Sequence, residues 1–188
     1  MSNLNDLKTK AQNGNASDWY NYGAALSQAY MDDEAVTWLT KATNAGHGEA
    51  ALDLQLLYAS TGNEAKAEAI LKDFVAKHSD PMPKIALGVL QFEKGASIDS
   101  IRLVAQGVKE CEDAKIGIFP ELKSQAVIAL CSNTVATNEE TAKWLNVGIK
   151  LIDTIEYDKL REYYPTLEQD MKALKRSGEE RLAKLGSR

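Results

Sequence analysis

Cysteine and histidine are scarce in this chain, two of each in 188 residues. Cys111 and Cys131 form no C-x-x-C pair, and His47 and His78 lie far from them in sequence. That leaves a zinc site or a disulfide framework without a pattern, so both cysteines are expected as small buried hydrophobes in a reducing compartment. No metal or other cofactor is expected. Long apolar runs are also missing: nothing approaches the ~18 residues that span a bilayer, and Met1-Ser-Asn-Leu-Asn-Asp is no charged leader before an apolar stretch. The expectation is a cytoplasmic protein with no membrane partner. Basic excess is absent as well. With 22 Lys and Arg against 27 Asp and Glu, the net charge is −5, the wrong sign for releasing counterions from nucleic acid. Finally, G-x-S-x-G, P-loop, G-x-G-x-x-G and H-E-x-x-H signatures are all missing, and the chain is not expected to be an enzyme.

Two features that look like chemistry have structural explanations. Asp32-Asp33-Glu34 falls where a helix begins, and carboxylates there meet the helix dipole and the unpaired amides. An oxygen-ligated cation usually needs more, better-spaced ligands. His47 and His78 fall in inter-helix loops and are expected as loop-capping residues.

What is present is helical periodicity. Apolar residues recur at intervals of three and four, and strand alternation is scarce. Asn13-Gly14-Asn15, Gly46-His47-Gly48, Gly62-Asn63, Ser79-Asp80-Pro81-Met82-Pro83 and Gly95-Ala96-Ser97 cut the first hundred residues into helices of roughly 12–15 residues. Thr137-Asn138-Glu139-Glu140 and Thr166-Leu167-Glu168-Gln169 both read as capping boxes.

The pattern repeats. Trp19-Tyr20-Asn21-Tyr22-Gly23-Ala24-Ala25-Leu26 precedes Glu34-Ala35-Val36-Thr37-Trp38-Leu39 across a short loop. Ala51 to Tyr58 then precedes Lys66 to Phe74, and Ile85 to Leu90 precedes Ser100 to Gly107. Ala35, Ala67 and Ser100 are equivalent small residues at a period close to the ~34 residues of helix–turn–helix repeats. These residues resemble tetratricopeptide repeats, with Trp19, Tyr22-Gly23, Leu26, Ala35, Leu39 and Ala42 in the signature order, although Tyr22 and Leu26 exchange the usual Leu and Tyr slots. Lys41-Ala42-Thr43-Asn44-Ala45-Gly46-His47 and Lys10-Ala11-Gln12-Asn13-Gly14-Asn15 resemble the joins of the Sel-one-like variant. The likeness is good over residues 4–107, weaker to 152 and absent from 158.

The resemblance implies an all-α, right-handed α-solenoid of antiparallel helix pairs. Residues 1–157 would be the repeat region and 158–188 a C-terminal amphipathic capping helix of the same globular unit. It also implies that first helices line a concave face, which places Tyr20, Ala24, Leu52, Leu56, Ile85, Val89 and Phe92 there. The family's clamp for acidic chaperone tails needs Lys, Asn and Arg where this chain has Tyr20, Leu52 and Ile85, so that activity is not expected. The implied function is a protein–protein interaction module, adaptor or chaperone-like, holding a peptide or amphipathic helix in an apolar groove. One alternative is a self-assembling scaffold or homodimer whose groove holds its own tail or a second copy. Another is a regulatory subunit of an enzyme complex. In the tail, Leu167, Met171, Leu174, Leu182 and Leu185 form one helical stripe suited to cap a stack, with a bend expected at Gly178.

Overall fold

The computed structural model describes residues 4–132, 134 and 137–186. Among these the chain is all-α, with 81% in helices. The first six helices are α1 (Leu4–Asn13), α2 (Ala16–Gln28), α3 (Asp32–Asn44), α4 (Gly48–Ser60), α5 (Glu64–Lys77) and α6 (Pro81–Lys94). The rest are α7 (Ile98–Ala114), α8 (Pro120–Ser132), α9 (Asn138–Ile152), the single turn α10 (Tyr157–Leu160) and α11 (Leu167–Gly186). Within the first unit α1 to α5 pack each on the next, and within the second α7 packs on α8 and α8 on α9, as a helical repeat requires. The chain divides within α6 into two compact units, Met1–Lys84 and Ile85–Arg188.

Local chemistry sets the helix ends. Asn15 and Asp18 form a reciprocal box at the start of α2, and His47 Nδ1 accepts from the Ala50 N–H at 3.4 Å to cap α4. Ser97 and Ser100 cap α7, the Ser97 hydroxyl accepting from the Ser100 N–H at 3.1 Å while the Ser97 N–H reaches Ser100 Oγ at 3.2 Å. This is why the third small-residue slot carries serine where the first two carry alanine. Thr137 Oγ1 accepts from the Glu140 N–H at 3.3 Å, the threonine half of the expected box, while its hydroxyl donates to the Glu140 carboxylate at 3.0 Å. The box expected at Thr166 does not form: its hydroxyl donates to the Asp170 carboxylate at 2.9 Å.

Four helix ends share one stop. The N–H groups of Met31, His47, Asn63 and Ile116 reach back five residues, and those of Tyr30, Gly46, Gly62 and Lys115 reach back three. This double bond pattern needs a left-handed residue at the end of the helix. Gly46 (φ 88°) and Gly62 (φ 74°) supply it freely, but Tyr30 (φ 59°) occupies the position where the next repeat has Gly62. The residue is 91% exposed, so no burial offsets the strain. Tyr30→Gly is therefore expected to raise stability by about 0.5–1 kcal/mol, the left-handed cost less the entropy of glycine. A urea midpoint that falls or stays unchanged in the variant would reject this.

In the first unit, the core joins Ala11 of α1, Tyr22 and Leu26 of α2, Ala35, Leu39 and Ala42 of α3, and Ala50 and Leu54 of α4. These are chiefly the residues of the repeat signature. Gly23 is required by close approach: a Cβ there would lie 2.9 Å from Leu39 Cγ. In the second unit Gly88 does the same, its Cβ position lying 2.7 Å from Val104 Cγ2. Trp19 donates to the Ala11 carbonyl at 3.0 Å and tethers α1, while the Lys41 ammonium lies 4.0 Å from the Trp19 ring centre. Tyr22 meets Trp38 edge-on at 5.3 Å and donates to Glu34 at 3.0 Å, which puts one member of the acidic trio to structural use.

In the second unit, α8 packs on α7, α9, α10 and α11, and α11 also lies against α9 and α10. The expected stripe of α11 faces inward: Met171 is buried, with Leu167, Leu174, Leu182 and Leu185 half-buried. The helix runs unbroken through Gly178. That residue is buried, and a Cβ on it would come within 3.1 Å of Ile149 Cδ1 on α9, so the glycine lets the two helices approach closely. Lys175 pairs with Asp153 at 2.6 Å, and Arg181 donates to the Cys131 carbonyl oxygen. Cys111 and Cys131 are both buried and not joined. Burial pushes the Cys131 thiol up to about 11, against a smaller opposing effect of Arg181.

Candidate functional site

A surface groove of about 490 Å³ opens in the first unit between α2 and α4. Helical spacing builds both walls. Tyr20, Ala24, Ser27 and Gln28 follow one another by four, three and one along α2, while Asp53, Leu56, Leu57 and Ser60 do so by three, one and three along α4. Each set shares a helix face. Glu49, one turn before Asp53, extends the α4 face toward its start. No Lys or Arg lines the groove.

The two ends differ. At one end Leu56 is 60% exposed and stands beside Leu57 and Ala24, an aliphatic surface left in water. At the other, the Tyr20 ring stacks on His47, with centroids 4.5 Å apart and planes at 23°. Because His47 also caps α4, the stack fixes the Tyr20 ring against the beginning of that helix. Its hydroxyl faces the carboxylates of Asp53 and Glu49. Burial first, then the Asp53 and Glu49 charges, push Tyr20 ionisation up to about 12. The Asp53 carboxyl is also raised, by burial and then by the Glu49 charge, while the Tyr20 hydroxyl and His47 act the other way. The result is a half-buried carboxylate pair beside a neutral phenol, at a groove that no ammonium or guanidinium lines.

The seven residues expected on the concave face differ in exposure. Tyr20 and Leu56 line the groove, as does Ala24. Leu52, Val89 and Ile85 are 8%, 5% and 0% exposed, so they are core residues closed to a partner in this structure. Phe92 is half-buried. On α4 the physical reason is a small rotation of the open face. It runs through Glu49, Asp53 and Leu56, and turns Leu52 inward beside Ala50, Ala51 and Leu54. Asp53 and Glu49 were missed by reading for apolar residues. Their spacing of four, with Leu56 three residues further on, is the signal that marks them.

The chain matches no family model, and no curated protein or solved structure matches it at a significant level.

Proposed function

We propose that this protein is an interaction module built from helical hairpins of the tetratricopeptide kind, and that the α2–α4 groove is where it holds a segment of a protein partner. The observation that carries this reading is Leu56, a large aliphatic side chain left 60% exposed between Ala24 and Leu57 in a groove of about 490 Å³. An isolated exposed leucine is ordinary, but one inside a concavity beside polar side chains that can fix orientation fits a binding site. The volume suits a few side chains of a peptide rather than a large globular face. The tail of this chain is a less suitable occupant, because the apolar stripe of α11 is already used against α8 and α9.

The test is selection of 15-residue peptides from a charge-balanced display library by the purified full chain. Hydrogen exchange then locates the selected peptides. Protection is expected in α2 and α4. Leu56→Ser removes the aliphatic contact without changing the groove's charge, and should weaken binding about tenfold or more, as losing ~1.5–3 kcal/mol of apolar burial implies. Unchanged affinity in a folded Leu56→Ser variant, or protection confined to other helices, would overturn the proposal.

A further inference from the structure

Resting on the reading of that groove as a peptide site, we infer that its occupant is a basic amphipathic segment. A Lys or Arg would sit at the Tyr20–Asp53–Glu49 end and an aliphatic side chain over Ala24, Leu56 and Leu57. The inference rests on charge complementarity in a shaped site. Two carboxylates, four residues apart on α4, face the same phenol, and no cation lines the groove to answer them. The surrounding unit is itself acidic, residues 1–84 carrying 11 Asp and Glu against 7 Lys and no Arg. The Asp53 carboxylate, drawn partly out of water, keeps its charge at a cost unless hydrogen bonds or a counter-ion hold it. Here a hydroxyl and an imidazole do part of that work. An ammonium or guanidinium entering the groove would complete it through charge-assisted hydrogen bonds.

The spacing sets the ligand's pattern. Asp53 and Leu56 are three residues apart on α4, about 4.5 Å along the axis, and Glu49 and Leu56 are seven apart, about 10 Å. A helical ligand presenting its cation three to seven residues from its aliphatic anchor matches both distances. The His47 stack holds the Tyr20 hydroxyl toward the acidic end before anything binds, which reduces the ordering that binding must impose. An acidic peptide would meet two like charges in a half-buried site. The selectivity is thus opposite in sign to a clamp for acidic tails.

The charge content of the display-selected peptides is the readout, together with their affinity for Asp53→Asn and Glu49→Gln. Binders are expected to be enriched in Lys or Arg three to seven residues from a Leu, Ile or Met. Asp53→Asn, which keeps the side chain's shape, should weaken them about tenfold, the scale of one lost charged hydrogen bond. Glu49→Gln, at the start of α4, is the second variant should Asp53→Asn disturb the fold, and should act in the same direction. Peptides that protect α2 and α4 with no excess of Lys or Arg, or that bind Asp53→Asn and Glu49→Gln as tightly as the parent, overturn the charge inference and leave the peptide site standing. Peptides that leave α2 and α4 unprotected overturn both.

Discussion

A chain ending at Tyr164 is expected to lose most of the stability of the second unit. Met171 on α11 is 2% exposed, and burying such a side chain contributes about 1.5–3 kcal/mol. Its removal also uncovers the surface of α9 beside Gly178, where Leu145 is fully buried in the full chain. A second side chain of that size brings the loss to about 3–6 kcal/mol, comparable with the ~5–15 kcal/mol that holds a whole domain folded. The Lys175–Asp153 pair and the Arg181 contact to the Cys131 carbonyl disappear too, although exposed pairs add little. Urea unfolding of the two chains, monitored by circular dichroism, should show the truncated chain losing part of its helical signal at a markedly lower urea concentration. Adding the 165–188 peptide should restore part of it, as expected when a terminal element covers an otherwise exposed apolar face. An unchanged unfolding curve would mean that α11 is not the cap its contacts describe.

The parts of this fold legible in the sequence are those written in local chemistry or strict spacing. Asn15, Ser97 and Thr137 announce helix starts because a short polar side chain before a periodic segment has a backbone amide to satisfy. Gly46 and Gly62 announce stops because the left-handed position costs glycine nothing. Tyr30 and Lys115 occupy the same position without any residue-type signal, and only the backbone reveals them. Gly23 and Gly88 were legible as equivalent positions, since each admits the second helix of its pair at the same step of the repeat. Gly178 was legible only as a weak point in a helix. Its use, letting α11 approach Ile149, is a fact about a neighbour 29 residues earlier that no local pattern encodes.

The site divides along the same line. Tyr20 and Leu56 follow from the order of the repeat, which places first-helix residues on one face. Leu52 differs from Leu56 by one helical turn, and periodicity alone treats the two alike. What separates them is the turn of the α4 face, which exposes Asp53 and closes Leu52. Ile85 and Val89 fail for a related reason: α6 is buried from Pro81 to Val89 with only Lys84 partly open, so its apolar character is core rather than groove. A helix apolar on most sides is a helix covered on most sides, and the sequence does not say by what.

That division makes Val89→Asp and Leu56→Asp an opposed pair. Val89 is 5% exposed, next to a glycine already in close contact with Val104 and the Ser100 carbonyl oxygen. An aspartate there loses about 1.5–3 kcal/mol of apolar burial, and its carboxylate adds a desolvation penalty of several kcal/mol. The total exceeds about 4 kcal/mol, the range in which single substitutions unfold ordinary domains. At Leu56, already 60% exposed, the same change removes little burial. The new charge lies three residues from Asp53, where like-charge repulsion on a helix costs about 0.2–0.5 kcal/mol. Urea denaturation should therefore leave the Leu56→Asp midpoint close to that of the parent, while Val89→Asp gives a greatly lowered midpoint or no cooperative transition. A Val89→Asp variant as stable as the parent would mean that α6 opens to solvent, and would return Ile85 and Val89 to the list of surfaces a partner could touch.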